Sequence, residues 1–163
     1  MKSPYAGLRF AAVAAAFLMI AACSSTDAAT DSSGSSSALV PGSQAELVAN
    51  VGDRVFFDTD QSTLNDEGKA TLQRQAAWLA KYPANTFTLE GHADERGTRE
   101  YNLALGGRRA AATKDFLVSL GVDAGRISTV SYGKERPVCL ESTEECWSQN
   151  RRAVSVVVNG AGS

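Results

Sequence analysis

Apolar and polar positions along the chain follow two different periods, and each change of period marks an element. Val55-Phe56-Phe57 closes a stretch from Val51 to Phe57 that reads as a first strand, ended by the turn-forming Asp58-Thr59-Asp60. Leu72, Ala76, Leu79 and Ala80 then recur at helical spacing. Thr63 or Asn65 can cap that helix, Asp66 and Glu67 suit its dipole, and it stops before Tyr82-Pro83. Thr86 to Glu90 reads as a second strand. Thr98 is placed to cap a second helix, with Leu103, Ala110, Leu117 and Leu120 as its core stripe and Asn102, Leu105 and Arg109 on the neighbouring one. Gly106-Gly107 in its middle costs about 1 kcal/mol per residue relative to Ala, which predicts very close packing there. Gly121 ends the helix, and Arg126–Tyr132 and Ala153–Asn159 read as third and fourth strands. The pattern β-α-β-α-β-loop-β predicts an α/β sandwich with helices on one face of a four-stranded sheet.

The 163 residues leave room for one such domain and appendages. Lys2 and Arg9 precede an apolar run over residues 10–20. That run is too short for a permanent membrane span and fits a secretory leader, residues 1–22. Ile20-Ala21-Ala22 before Cys23 resembles a bacterial lipobox, which implies cleavage ahead of Cys23 and lipidation of its thiol. Residues 24 to about 43 are Ser, Ala, Thr, Asp and Gly with almost no large apolar side chain. They predict a tether with a root-mean-square span of about 25–30 Å, so that residues 23–45 form the anchor and linker and 46–163 the domain. Of the 16 basic residues, losing Lys2 and Arg9 leaves 14 against 18 acidic ones. This weakly acidic balance disfavours nucleic acid as a partner.

Cys139 and Cys146 lie in an exported domain, where two such cysteines usually pair. Two free thiols or a zinc site are the alternatives, and zinc is poorly served because the sole histidine, His92, is distant in sequence. A disulfide there would shape the segment before Asn150. The chemistry of the chain centres on Gly91 to Asn102 and onward to Arg109. Asn102 and Arg109 are seven apart, on one stripe about 10 Å long, and Asp94 sits in the turn before the helix. A carboxylate at one end and a guanidinium at the other could receive a zwitterion with a separated ammonium and carboxylate. Hydrolysis of cell wall needs a paired-carboxylate, Cys/His or zinc apparatus, and no recognisable motif supplies one. No cofactor is implied.

GHADERGTREYNLALGGRRAAA resembles the signature of the OmpA-like peptidoglycan-binding domain, in particular its lipoprotein branch. The resemblance spans roughly residues 50 to 159 and implies a mixed sheet. It also implies a function: non-covalent binding of peptidoglycan through the diaminopimelate of the stem peptide. In that reading Asp94 takes the ligand ammonium, Arg109 takes its carboxylate in a bidentate pair, and Asn102 belongs to the same motif. Phe57-Asp58-Thr59-Asp60 resembles the family's FD-x-D element, with Asp60 the stronger candidate and Phe57 and Asp58 beside it. Asn150-Arg151-Arg152-Ala153 resembles its NRRA element, with Arg151 ahead of Arg152 as a contact. Arg96 is a further candidate, and His92 reads rather as a hydrogen-bonded strand-end residue. For the whole protein the resemblance implies an outer-membrane lipoprotein held by acylated Cys23. Its domain would face the periplasm and bind a TolB-type propeller protein in the Tol system of envelope integrity and cell division. Residues 138–149 transfer least securely.

Overall fold

The computed structural model describes residues 39–158; Cys23, the expected leader and most of the expected tether lie outside them. The elements are α1 (Gln44–Glu46), which runs on as a π-helical turn over Leu47–Val51, β1 (Arg54–Phe56), α2 (Asp66–Lys81), β2 (Thr86–His92), α3 (Arg99–Ser119), β3 (Ile127–Gly133), α4 (Glu144–Asn150) and β4 (Arg152–Val158). The four strands form one mixed sheet in the order β1-β4-β2-β3. β4 is antiparallel to both β1 and β2, while β2 and β3 are parallel. α2 and α3 pack on one face of the sheet, over a core that includes Leu72, Leu79, Phe87, Leu89, Ala110, Leu117, Ile127 and Val157. Among the described residues no helix is long and apolar enough to cross a membrane.

The caps explain the helix limits. Asn65 accepts the Gly68 amide at the start of α2, and Thr98 accepts the Tyr101 amide at the start of α3. At the far end of α2, the Arg126 guanidinium collects the carbonyls of Leu79, Tyr82 and Asn85, a favourable place for a cation. Folded structure reaches back beyond the expected start at residue 46, because two side chains stitch the entering segment down. Gln44 bonds both Ser155 and Val157 on β4. The Glu46 carboxylate accepts from the Gly42 amide, the Trp78 indole and the Tyr82 hydroxyl. The first strand is shorter than expected because residues 47–51 close a helical turn instead of extending.

Two further differences have clear causes. The segment between β3 and β4, expected as a loop, contains α4. Thr143 caps it with Glu144 and Glu145 in the first turn, a helix-start signal inside the disulfide-bounded stretch. On α3, Leu103 and Leu120 are exposed, and the core face instead carries Asn102, Leu105, Gly106, Arg109, Ala110, Thr113 and Leu117. The buried face is thus rotated by about one residue from the apolar stripe.

The reason lies at Gly91 and Gly106, where backbone meets backbone. A Cβ on Gly91 would fall 1.8 Å from the Gly106 carbonyl oxygen, and one on Gly106 would fall 2.5 Å from Ser131 Oγ. Gly107 is different, since its nearest neighbour would be Ser131 Cβ at 3.9 Å. Gly106→Ala is therefore expected to destabilise by about 1–3 kcal/mol through overpacking. Gly107→Ala is expected to gain up to about 1 kcal/mol of helix propensity. Urea unfolding of the two variants should show these opposite signs.

Candidate functional site

β2 delivers the site. Its last residues run into the turn Ala93–Thr98, whose backbone is held from three sides. Ala93 donates its amide to the Gly133 carbonyl, Asn102 Nδ2 donates to the Arg96 carbonyl at 2.7 Å, and Lys134 Nζ donates to the Glu95 and Gly97 carbonyls. Between this turn, the residues 58–61 and the start of α3 lies a pocket of about 200 Å³. Asp60, Asp94, Arg96, Tyr101, Asn102 and Leu105 are among its walls.

Asp94 is buried but not alone. Its Oδ1 accepts from the Arg96 amide and Nε, and its Oδ2 from Arg96 Nη2 at 2.7 Å. Arg151 Nη1 adds an ion pair at 3.5 Å. Burial alone would raise the carboxyl, yet the Arg96 bonds outweigh it and hold Asp94 below the usual carboxylate range. A carboxylate has about four acceptor positions; Arg96 takes three of them, and Arg151 Nη1 faces Asp94 without a hydrogen bond. The open carboxylate end expected from sequence is thus occupied by the chain's own cations.

Arg109 is fully buried, with Nε on the Gln61 carbonyl at 2.8 Å, Nη1 on that of His92 at 2.8 Å and Nη2 on that of Asp58 at 3.1 Å. Its guanidinium also lies 5.3 Å from the Phe57 ring centroid. Burial pushes it down to about 10, opposed by the nearby charges of Asp94 and Asp60. No acid lies within ion-pair distance among the described residues, and three of the five N–H donors of a guanidinium are committed. The open guanidinium expected from sequence is therefore not exposed, since two of its donors are taken by carbonyls of the 58–61 turn.

The remaining candidates divide. Asp60 stands on the pocket rim with its backbone in the left-handed region (φ 59°), and its carboxylate meets the Tyr101 hydroxyl. Phe57 is core, 3% exposed, and does not line this pocket; its ring is what the buried Arg109 guanidinium rests against. Asp58 serves Arg109 through its carbonyl, while its side chain faces neighbouring surface grooves. Arg151 is buried, with Nε on the Phe57 carbonyl and Nη2 on Glu144 Oε1 at 2.6 Å. Arg152 is turned to the Asn150 and Arg136 carbonyls, away from the pocket.

Cys139 and Cys146 form a disulfide. Asn150 completes that corner by accepting from the Val138 and Cys139 amides and donating to the Cys139 carbonyl. Sequence reasoning missed Tyr101, Glu144 and Trp147 at the site. The last was legible as a lone large aromatic directly after Cys146 in a polar stretch. Among the described residues no group of three or more metal-ligating side chains is assembled.

This geometry belongs to a known class. A model of the OmpA family matches residues 56–152, more than half of the chain, and the chain belongs to that family. Its relatives include the peptidoglycan-associated lipoprotein of Rhizobium meliloti (strain 1021), 64% identical over 126 residues that cover 77% of this chain and 71% of that protein. The peptidoglycan-associated lipoprotein of Brucella melitensis biotype 1 is 54% identical over 149 residues, covering 89% of this chain and 88% of that one. The crystal structure of the peptidoglycan-associated lipoprotein from Burkholderia pseudomallei superposes with a TM-score of 0.64 and 44% identity, over 65% of this chain and 90% of that one. The C-terminal domain of Helicobacter pylori MotB shares the fold at 21% identity and a TM-score of 0.61, over 65% of this chain and 84% of that one.

His92 is not the hydrogen-bonded residue expected from sequence. It is 1% exposed, neither ring nitrogen has a partner, and Glu90 Oε2 is 3.7 Å from Nε2. Burial first, then the charges of Arg152, Arg136 and Arg54, push it down to about 4. The folded state keeps the ring neutral while the unfolded chain takes up a proton below about 6.5, so unfolding is favoured progressively as pH falls from 6.5 to 4. The loss from this residue should reach about 2–3 kcal/mol near pH 4. Urea unfolding at pH 7 and pH 4.5 should show a smaller drop for His92→Phe than for wild type by that amount.

Proposed function

We propose that this protein is a non-catalytic tether that binds peptidoglycan through the diaminopimelate of the stem peptide. In this reading acylated Cys23 holds it at the outer membrane with its domain in the periplasm. Two features support it: membership of the OmpA family and the similarity to peptidoglycan-associated lipoproteins of other bacteria. The observation that carries the ligand assignment is the buried carboxylate of Asp94 in the wall of a small pocket, with the buried guanidinium of Arg109, which has no ion-paired acid among the described residues, on the carbonyls of the adjoining 58–61 turn. A charge left uncompensated in a low-dielectric setting favours an incoming ion of opposite sign.

The ligand ammonium replaces the Arg96 side chain on Asp94, and its carboxylate is drawn toward the two uncommitted N–H groups of Arg109 as the 58–61 turn shifts. Asn102 holds the Asp94 turn in place, Asp60 and Tyr101 form the rim, and Arg151 balances Asp94 from behind. Each exchange of one charged hydrogen bond for another nets only about 1–3 kcal/mol, so attachment is reversible. Reversibility suits a role in the Tol–Pal system of envelope integrity and cell division, where a TolB-type propeller protein would compete for the domain.

Purified protein is expected to sediment with isolated sacculi. Asp94→Asn, which keeps the shape and removes the charge, should reduce sedimentation at least tenfold while far-UV circular dichroism stays unchanged. Undiminished sedimentation of the variant would contradict the assignment.

A further inference from the structure

The two arginines on Asp94 are each held a second time by α4. Arg96 stacks its guanidinium over Trp147, 4.2 Å from the ring centroid, and the Trp147 indole donates to Glu95 Oε1 in the same turn at 3.0 Å. Arg151 gives its shortest bond, 2.6 Å, to Glu144, while its Nη1 stops 3.5 Å from Asp94 Oδ2, has no hydrogen-bond partner and is buried. α4 in turn is fixed by the disulfide at Cys146 and by the Asn150 bonds to residues 138 and 139.

Both arginines compete with an incoming ammonium for Asp94: Arg96 takes three of its about four acceptor positions, and Arg151 faces it as an ion pair. What decides the competition is where the arginines rest once displaced. A guanidinium over an indole face is stabilised without any carboxylate; Arg96 stacks on Trp147 while it bonds Asp94, so the ring can keep it seated once a ligand has displaced it. Glu144 likewise restrains Arg151 from closing the last half-ångström onto Asp94. From this geometry we propose that Trp147 and Glu144 are positioning residues of the pocket, which hold Arg96 and Arg151 once a ligand cation displaces them from Asp94 and so let it in. The inference rests on the pocket being the diaminopimelate site and adds the element that sets its affinity.

The test is calorimetric titration of the intact protein with a muropeptide whose stem ends in diaminopimelate. Trp147→Ala and Glu144→Gln should each weaken binding at least fivefold, whereas Trp147→Phe, which keeps an aromatic face, should stay within twofold of wild type. Adding Arg96→Gln to Trp147→Ala removes the competitor and should recover most of the loss, a rescue that a merely structural role for Trp147 would not produce. Wild-type affinity in Trp147→Ala and Glu144→Gln, or no rescue by Arg96→Gln, would overturn the inference while leaving the site in place. Failure of the wild-type protein to bind the muropeptide would overturn the site and the inference together.

Discussion

The arrangement depends on one buried cation. Arg109 reaches from the middle of α3 to the carbonyls of His92, Asp58 and Gln61, tying the end of β2 and the turn after β1 to the helix. Backbone carbonyls near the edge of a sheet need partners once buried, and one rigid fork of donors satisfies three of them. Because all its partners are neutral, the guanidinium keeps its charge without an acid to cancel it. The same side chain that closes the fold thereby leaves a positive centre behind the pocket.

Around it cations and acids interleave. Arg96 and Arg151 converge on Asp94, and Glu144, Glu95 and Asp60 answer from the rim. Such a network is poised rather than open. In the proposed function a ligand would gain access by exchanging ion pairs, so its net affinity would be the small difference between the pairs it forms and the pairs it displaces. Such a balance would suit the reversible attachment proposed above.

Much of the fold was legible in the sequence, because the strands and α2 are segregated into apolar and polar faces. α3 was read less well for a physical reason. Its buried face is built from the glycine contact at Gly106 and from polar tethers at Asn102, Arg109 and Thr113, while Leu103 and Leu120 are exposed. An apolar stripe is the wrong guide where backbone contact and hydrogen bonds replace side-chain burial. At the site the motif located Asp94, Asn102 and Arg109 in one neighbourhood, but spacing along a helix could not show that Asp94 is already paired or that Arg109 points inward. The place of Trp147 was hidden because it stacks on Arg96 from a distant part of the sequence. No local pattern encodes such a contact.

The central claim is that a buried guanidinium without an acid partner receives a ligand carboxylate. The most direct measurement compares, by calorimetry, the affinity of wild-type protein for two muropeptides that differ only in whether the diaminopimelate carboxylate is free or amidated. The account predicts at least tenfold tighter binding of the free carboxylate, since amidation removes the charge that Arg109 attracts. Equal affinity for the two would contradict it and leave Arg109 as a structural tie alone.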